Sequence, residues 1–139
     1  MRMKRMLSVL VAAVMMVSVL ATSASAYAWT DSFTVYRTGG PVLTNAVIKL
    51  NFDNYFKMDL QPNNNDAQYW RQGSEILYAR ARDTGNNFAS NLVKTTTAGI
   101  QTPTYYSGYG VFGYSYKLAA EYDEGNAREG AAITVNWEP

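Results

Sequence analysis

The chain has 139 residues with no Cys and no His, 12 Lys plus Arg against 11 Asp plus Glu, and 11 Tyr beside three Trp and five Phe. Without Cys there is no disulfide framework and no lipid-modified N-terminal Cys. Without His the commonest general base, the usual metal ligand and the usual pH switch are gone, and a near-neutral charge offers no footprint for nucleic acid.

Residues 1–26 place Arg2, Lys4 and Arg5 ahead of an apolar run from Leu7 to Leu20, then end in the A-x-A tripeptide Ala24-Ser25-Ala26. This is the pattern of a secretory signal peptide, and the run falls short of the roughly 20 residues that a permanent membrane helix needs. A cut after Ala26, with Ala28 as the second A-x-A position, would leave an exported domain at 27–139. Three of the basic residues would go with the leader, leaving nine against 11 acids. A chain of this size suits one domain rather than two.

Residues 29–36, WTDSFTVY, set Phe33 and Val35 against Thr34 and Tyr36 and stop at Thr38-Gly39-Gly40-Pro41, which reads as a strand and a turn. Ala46 to Phe52 sets Ala46, Ile48, Leu50 and Phe52 against Val47, Lys49 and Asn51. Tyr55 to Leu60 then turns Phe56, Met58 and Leu60 inward, and Asp53-Asn54 between the two runs predicts a hairpin. The Pro and Asn of Gln61 to Asp66 mark a loop. Glu75 to Arg82, EILYARAR, predicts a strand with Ile76, Tyr78, Arg80 and Arg82 on one face and Leu77, Ala79 and Ala81 on the other. Helix propensity competes there, but Gly73 before and Asp83-Thr84-Gly85-Asn86-Asn87 after leave too short a run for a stable helix. A short strand around Leu92 and Val93 and a loop from Ala98 to Pro103 follow.

The closing part organises the rest. Tyr114, Tyr116, Leu118, Ala120 and Tyr122 alternate with Gly113, Ser115, Lys117, Ala119 and Glu121, while Ala131, Ile133, Val135 and Trp137 share a face farther on. The polar loop Asp123 to Gly130 would join these two strands as a final hairpin over one core. The expected fold is all-β: a single antiparallel β-sandwich or partly open barrel of about seven strands.

The last third, YSYKLAAEYDEGNAREGAAITVNWEP, resembles the C-terminal pattern of small exported proteins of Gram-positive bacteria of unknown function, through Tyr114, Tyr116, Leu118, Ala120, Glu121, Asn126, Val135, Trp137 and Pro139. Upstream, Tyr78-Ala79-Arg80-Ala81-Arg82 also looks similar. More distantly, in size, leader and Tyr/Trp content, the chain is similar to lactococcin-type bacteriocins. The first resemblance implies export and an all-β fold, and carries over no site residue.

Tyr105, Tyr106 and Tyr109, interleaved with Ser107 and Gly108, form the first candidate binding surface, because tyrosine rings stack on sugars or protein partners at low entropic cost. High strand propensity, with the rings capping the edge of a small core, is the plainer account of these Tyr. Tyr78, Arg80 and Arg82, with Arg71 nearby, form the second, since guanidinium forks pair with carboxylate or phosphate; solvation or pairing with acids of the next strand is the plainer account. Asp53-Asn54, Asn63-Asn64-Asn65-Asp66 and Asp123-Glu124-Gly125-Asn126 carry loop oxygens without EF-hand spacing, and turn chemistry explains them. No cofactor or metal is implied. Asp59 with Glu75 is the example of a carboxylate pair that a hydrolase would need, but no nucleophile stands in a recognisable pattern with a base. The expected function is a secreted binding or interaction protein at or outside the cell envelope, with no catalytic centre. Its expected partner is cell-wall glycan or another extracellular protein, with no nucleic acid and no membrane contact after signal removal. A bacteriocin-like antibacterial protein and a carboxylate-dependent hydrolase are the alternatives.

Overall fold

Alternation of apolar and polar side chains does in space what it does in sequence: it gives each strand one face to bury. In the computed structural model, which describes residues 29–62 and 68–139, the regular elements are nine strands and no helix. The predicted signal peptide and the Asn63-Asn64-Asn65-Asp66 loop lie outside the described residues. In chain order the strands are β1 (Trp29–Tyr36), β2 (Val42–Leu43), β3 (Val47–Ile48), β4 (Lys57–Leu60), β5 (Leu77–Asp83), β6 (Val93–Thr95), β7 (Gly99–Gln101), β8 (Ser115–Tyr122) and β9 (Gly130–Glu138). They form two antiparallel sheets. The first runs β1-β9-β4-β7, and the second β2-β8-β5-β6 with β3 also on β8.

The core lies between the sheets in a sandwich-like arrangement. β9 contributes Ala131, Ile133, Val135 and Trp137, and β4 with the residue before it contributes Phe56, Met58 and Leu60. From the second sheet come Leu77, Ala79, Ala81, Tyr116, Leu118, Ala120 and Tyr122, all in one cluster with Trp70. Phe56 and Trp137 meet at a ring separation of 5.8 Å. Removing side chains of this size from water stabilises the fold by about 2–3 kcal/mol each, before the ordering cost.

Five expectations need correction. β8 and β9 do not form a hairpin: β8 pairs with β5, β2 and β3, whereas β9 pairs with β1 and β4. The two strands belong to opposite sheets and share the core through their side chains. Their connection is held to Ile76, the residue before β5, by Asn126, whose Oδ1 accepts from the Ile76 amide at 2.8 Å and whose Nδ2 donates to the Ile76 carbonyl at 2.9 Å. This holds the loop to the second sheet before β9 enters the first.

The predicted hairpin about Asp53-Asn54 is instead a crossover, since β3 joins the second sheet and β4 the first. The face of the 46–52 segment is also inverted. Val47 and Lys49 are buried, while Ile48, Leu50 and Phe52 stand exposed. The Lys49 amide donates to the Tyr114 carbonyl at 2.8 Å, and the Gly113 amide to the Lys49 carbonyl at 2.8 Å, so backbone pairing with the approach to β8 fixes this register. Lys49 Nζ donates to the main-chain oxygen of Pro139 at 3.1 Å and also to Asn51 Oδ1.

The Ala98–Pro103 segment is not all loop, because β7 occupies the edge beside β4. Nine short strands replace about seven. The strand over Glu75 to Arg82 stands, with Leu77, Ala79 and Ala81 buried.

Candidate functional site

β5 presents Tyr78, Arg80 and Arg82 on its outward face because its inward positions, Leu77, Ala79 and Ala81, belong to the core. The register decides what stands beside them. Across β8, Tyr78 faces Glu121, Arg80 faces Ala119 and Arg82 faces Lys117; across β6, Tyr78 faces Lys94. The two arginines therefore have an alanine and a like charge opposite them, not carboxylates. Among the described residues neither arginine is in a salt bridge.

What holds the arginines instead is Phe88. The Arg80 guanidinium lies 4.0 Å from its ring centroid and that of Arg82 lies 4.7 Å away, well within cation–π range. Phe88 is placed by the turn that closes β5. The Asn87 amide donates to Asp83 Oδ1 at 2.8 Å, its side-chain amide donates to Asp83 Oδ2 at 2.8 Å, and Asn86 adopts φ 67°. The Asn87 side-chain hydrogen bond leads the interactions that hold the Asp83 carboxyl below its ordinary value. Arg82 Nη1 donates to the Asn86 carbonyl at 3.2 Å, leaving its buried Nε without a partner.

Tyr78, Arg80, Arg82 and Phe88 line a groove of about 360 Å³ on the outside of the second sheet, together with Pro41, Leu92, Ala119, Glu121, Asp123 and Glu124. One end is cationic and aromatic, the other acidic. The Asp123 carboxyl is held below its ordinary value, first by a hydrogen bond from Tyr78 and then by the Gly125 amide. Such a surface can stack on a ring and hydrogen-bond an anionic group at the Arg80/Arg82 end.

The Tyr-rich segment does not form one surface, which corrects the reading of Tyr105, Tyr106 and Tyr109 as a single face. Tyr105 is a core residue with its ring centroid 5.0 Å from that of Tyr116. Burial, with Tyr116 adding to it, pushes its phenol upward. Tyr109 packs partly buried against the same core, and only Tyr106 is exposed. Glu75 is also buried, bound to Arg128 Nε at 2.5 Å and to the Arg71 amide at 2.8 Å. Asp59 stands on β4 of the other sheet and accepts from Gln61 Nε2 at 3.0 Å, so the two carboxylates serve different local structures. Arg71 is exposed and does not line the groove. No group of acidic residues among those described could hold a metal ion.

Two features escaped sequence reasoning. Phe88 follows the Asp83–Asn87 turn, whose composition is legible in the sequence, but only the fold of that turn brings the ring back beside Arg80 and Arg82. The exposed apolar set of Ile48, Leu50 and Phe52 was masked by the inverted register. No family model, no curated protein and no solved structure matches the chain.

Proposed function

We propose that the chain is an exported binding module acting at or outside the cell envelope, with its ligand in the groove over β5. The ligand class that suits the groove is an anionic, ring-bearing polymer, such as cell-wall glycan carrying carboxylate or phosphate. One observation carries this reading: Arg80 and Arg82 are ordered side by side on Phe88 while their cross-strand neighbours are Ala119 and Lys117. Held in place without an acidic partner, the Arg80 fork keeps its donors for a ligand, while Arg82 already gives Nη1 to the Asn86 carbonyl and has its Nε buried; a preordered fork loses less entropy on binding. Tyr78 and Phe88 supply the ring faces.

The test is a pull-down of the purified protein on intact Gram-positive cell walls, on walls stripped of anionic polymer, and on intact walls at raised salt. Binding lost on stripping and weakened by salt supports the arginine end as the contact. Binding that survives both treatments contradicts an anionic ligand and moves the contact to stacking alone. Absence of binding to walls overturns the reading.

A further inference from the structure

Lys49 is 0% exposed, a rare state for a lysine unless an acid pairs with it. The salt bridges among the described residues, Arg37 with Glu129 and Arg128 with Glu75, stand at the opposite end of the sandwich, and Lys49 takes part in neither. It lies where β9 finishes, in the segment whose exposed Phe52 stacks on the exposed Phe112. The Tyr105 ring covers the amine, with its centroid 5.2 Å from Nζ. Burial is the largest influence on Lys49 and lowers its pKa, against the opposing pull of Asp53 and Glu138.

What faces this amine is an amide. Extended backbone sets side chains two residues apart on one face, and the pairing of Lys49 with Tyr114 and Gly113 holds the segment in that register. Lys49 Nζ donates to Asn51 Oδ1, and to the main-chain oxygen of Pro139 at 3.1 Å. The Asp53 amide donates to the same Oδ1 at 3.1 Å, so two donors converge on the Asn51 carbonyl. On the far side of the amide, Asn51 Nδ2 donates to Glu138 Oε1 at 2.8 Å and to the Pro139 oxygen at 3.1 Å. An amine hydrogen-bonded to an amide oxygen stands about 3–4 Å from the amide carbon, close to the separation of a near-attack contact. Nucleophile, carbonyl, oxyanion donor and carboxylate are thus assembled at one place.

We propose that Lys49 and Asn51 join in an intramolecular isopeptide bond, with Glu138 moving the proton. Once its ammonium has lost a proton to solvent, Lys49 Nζ attacks Asn51 Cγ. The new C–N bond forms as the carbonyl π pair moves onto Oδ1, where the Asp53 amide stabilises the oxyanion. The Glu138 carboxylate takes the proton that Nζ sheds and delivers it to Nδ2, which it already contacts. The Cγ–Nδ2 bond breaks and ammonia leaves. One amine and one primary amide become one secondary amide and ammonia, so the step needs no oxidant, reductant or cofactor. Fixed positions replace the concentration that a free lysine would need to attack an amide. The product also removes a buried charge that has no carboxylate bonded to it, while its N–H still serves the Pro139 oxygen.

The experiment is the intact mass, under denaturing conditions, of residues 27–139, which contain every described strand of both sheets. The expected result is a mass below that of the sequence by one ammonia. Trypsin should then fail to cut after Lys49, and fragment spectra should join residues 49 and 51. N51A and K49M should each show the full mass of their own sequence, and E138Q should cross-link at least about tenfold more slowly than wild type. A wild-type chain at full mass overturns the proposal, whether or not the variants fold. So does a loss of ammonia that persists in K49M, because that assigns it to a cyclic imide formed by Asn51 alone. An E138Q chain that cross-links as fast as wild type overturns the role of Glu138. None of these readings depends on a ligand in the groove.

Discussion

Glu75 shows how one buried charge can tie loops together. Its carboxylate binds Arg128 Nε and Nη2 and the Arg71 amide, while its carbonyl accepts from Trp70 Nε1 at 2.9 Å. Burial by itself would raise its pKa, but Arg128, Arg71 and Tyr122 outweigh that and hold it below the ordinary 4.5. Burial and then the same carboxylate push the Tyr122 phenol up to about 12. A depressed carboxyl contributes its stability above its unfolded pKa and loses it as pH falls through the folded value. Thermal melts should therefore hold steady from about pH 5 to about pH 9, fall in acid, and fall again above about pH 10 as the unfolded chain releases the Tyr122 proton that the fold retains; E75Q should flatten part of the acid fall. At neutral pH E75Q should cost about 1.5–3 kcal/mol, since the hydrogen bonds that Glu75 accepts from Arg128 and the Arg71 amide lose their charge assistance. Gly110 gives a second residue-level prediction. It adopts φ +74°, and a Cβ there would lie 2.6 Å from Tyr105 Cδ2. G110A should destabilise by about 2–4 kcal/mol through backbone strain and overpacking, read as a lowered denaturation midpoint.

Among the elements, what the sequence made legible were strands whose two faces differ chemically. For β5 the alternation separates Leu77, Ala79 and Ala81 from Tyr78, Arg80 and Arg82, and the structure turns the first set into the core. The faces of β4 and β8 were likewise legible from Phe56, Met58 and Leu60 and from Tyr116, Leu118 and Tyr122. The 46–52 segment misled because both of its faces carry apolar residues, and tertiary pairing rather than alternation chose between them. β7 carried no pattern at all, and exists as the strand that fills the edge of β4. Strand partners were the least legible feature, since β8 and β9 alternate equally well in one sheet or in two. Of the candidate site, Tyr78, Arg80 and Arg82 were visible, whereas Phe88 needed the fold of the turn, and the Tyr, Ser and Gly composition around Tyr105 left surface and core open until burial placed it in the core. The inverted face is directly testable in a chain without cysteine. Single variants I48C and L50C should react quickly with a thiol reagent, and V47C and K49C slowly; the reverse order would restore the alternation reading.

At the scale of the whole molecule, the sheets divide their labour. The inner faces supply one core, and the outer face of the second sheet carries the β5 groove. The end where β9 finishes gathers exposed aromatic rings, and the far end gathers ion pairs. In the functional account proposed above, recognition belongs to the groove and is electrostatic at its arginine end. Charge-assisted hydrogen bonds contribute about 1.5–3 kcal/mol each, so removing two forks should be felt far more than removing exposed rings elsewhere. The most direct measurement is the affinity of wild-type and R80Q/R82Q protein for intact cell walls at low salt, with circular dichroism to confirm that both are folded. The account predicts a loss of at least about tenfold in the double variant. Equal affinity of the two folded proteins would contradict it.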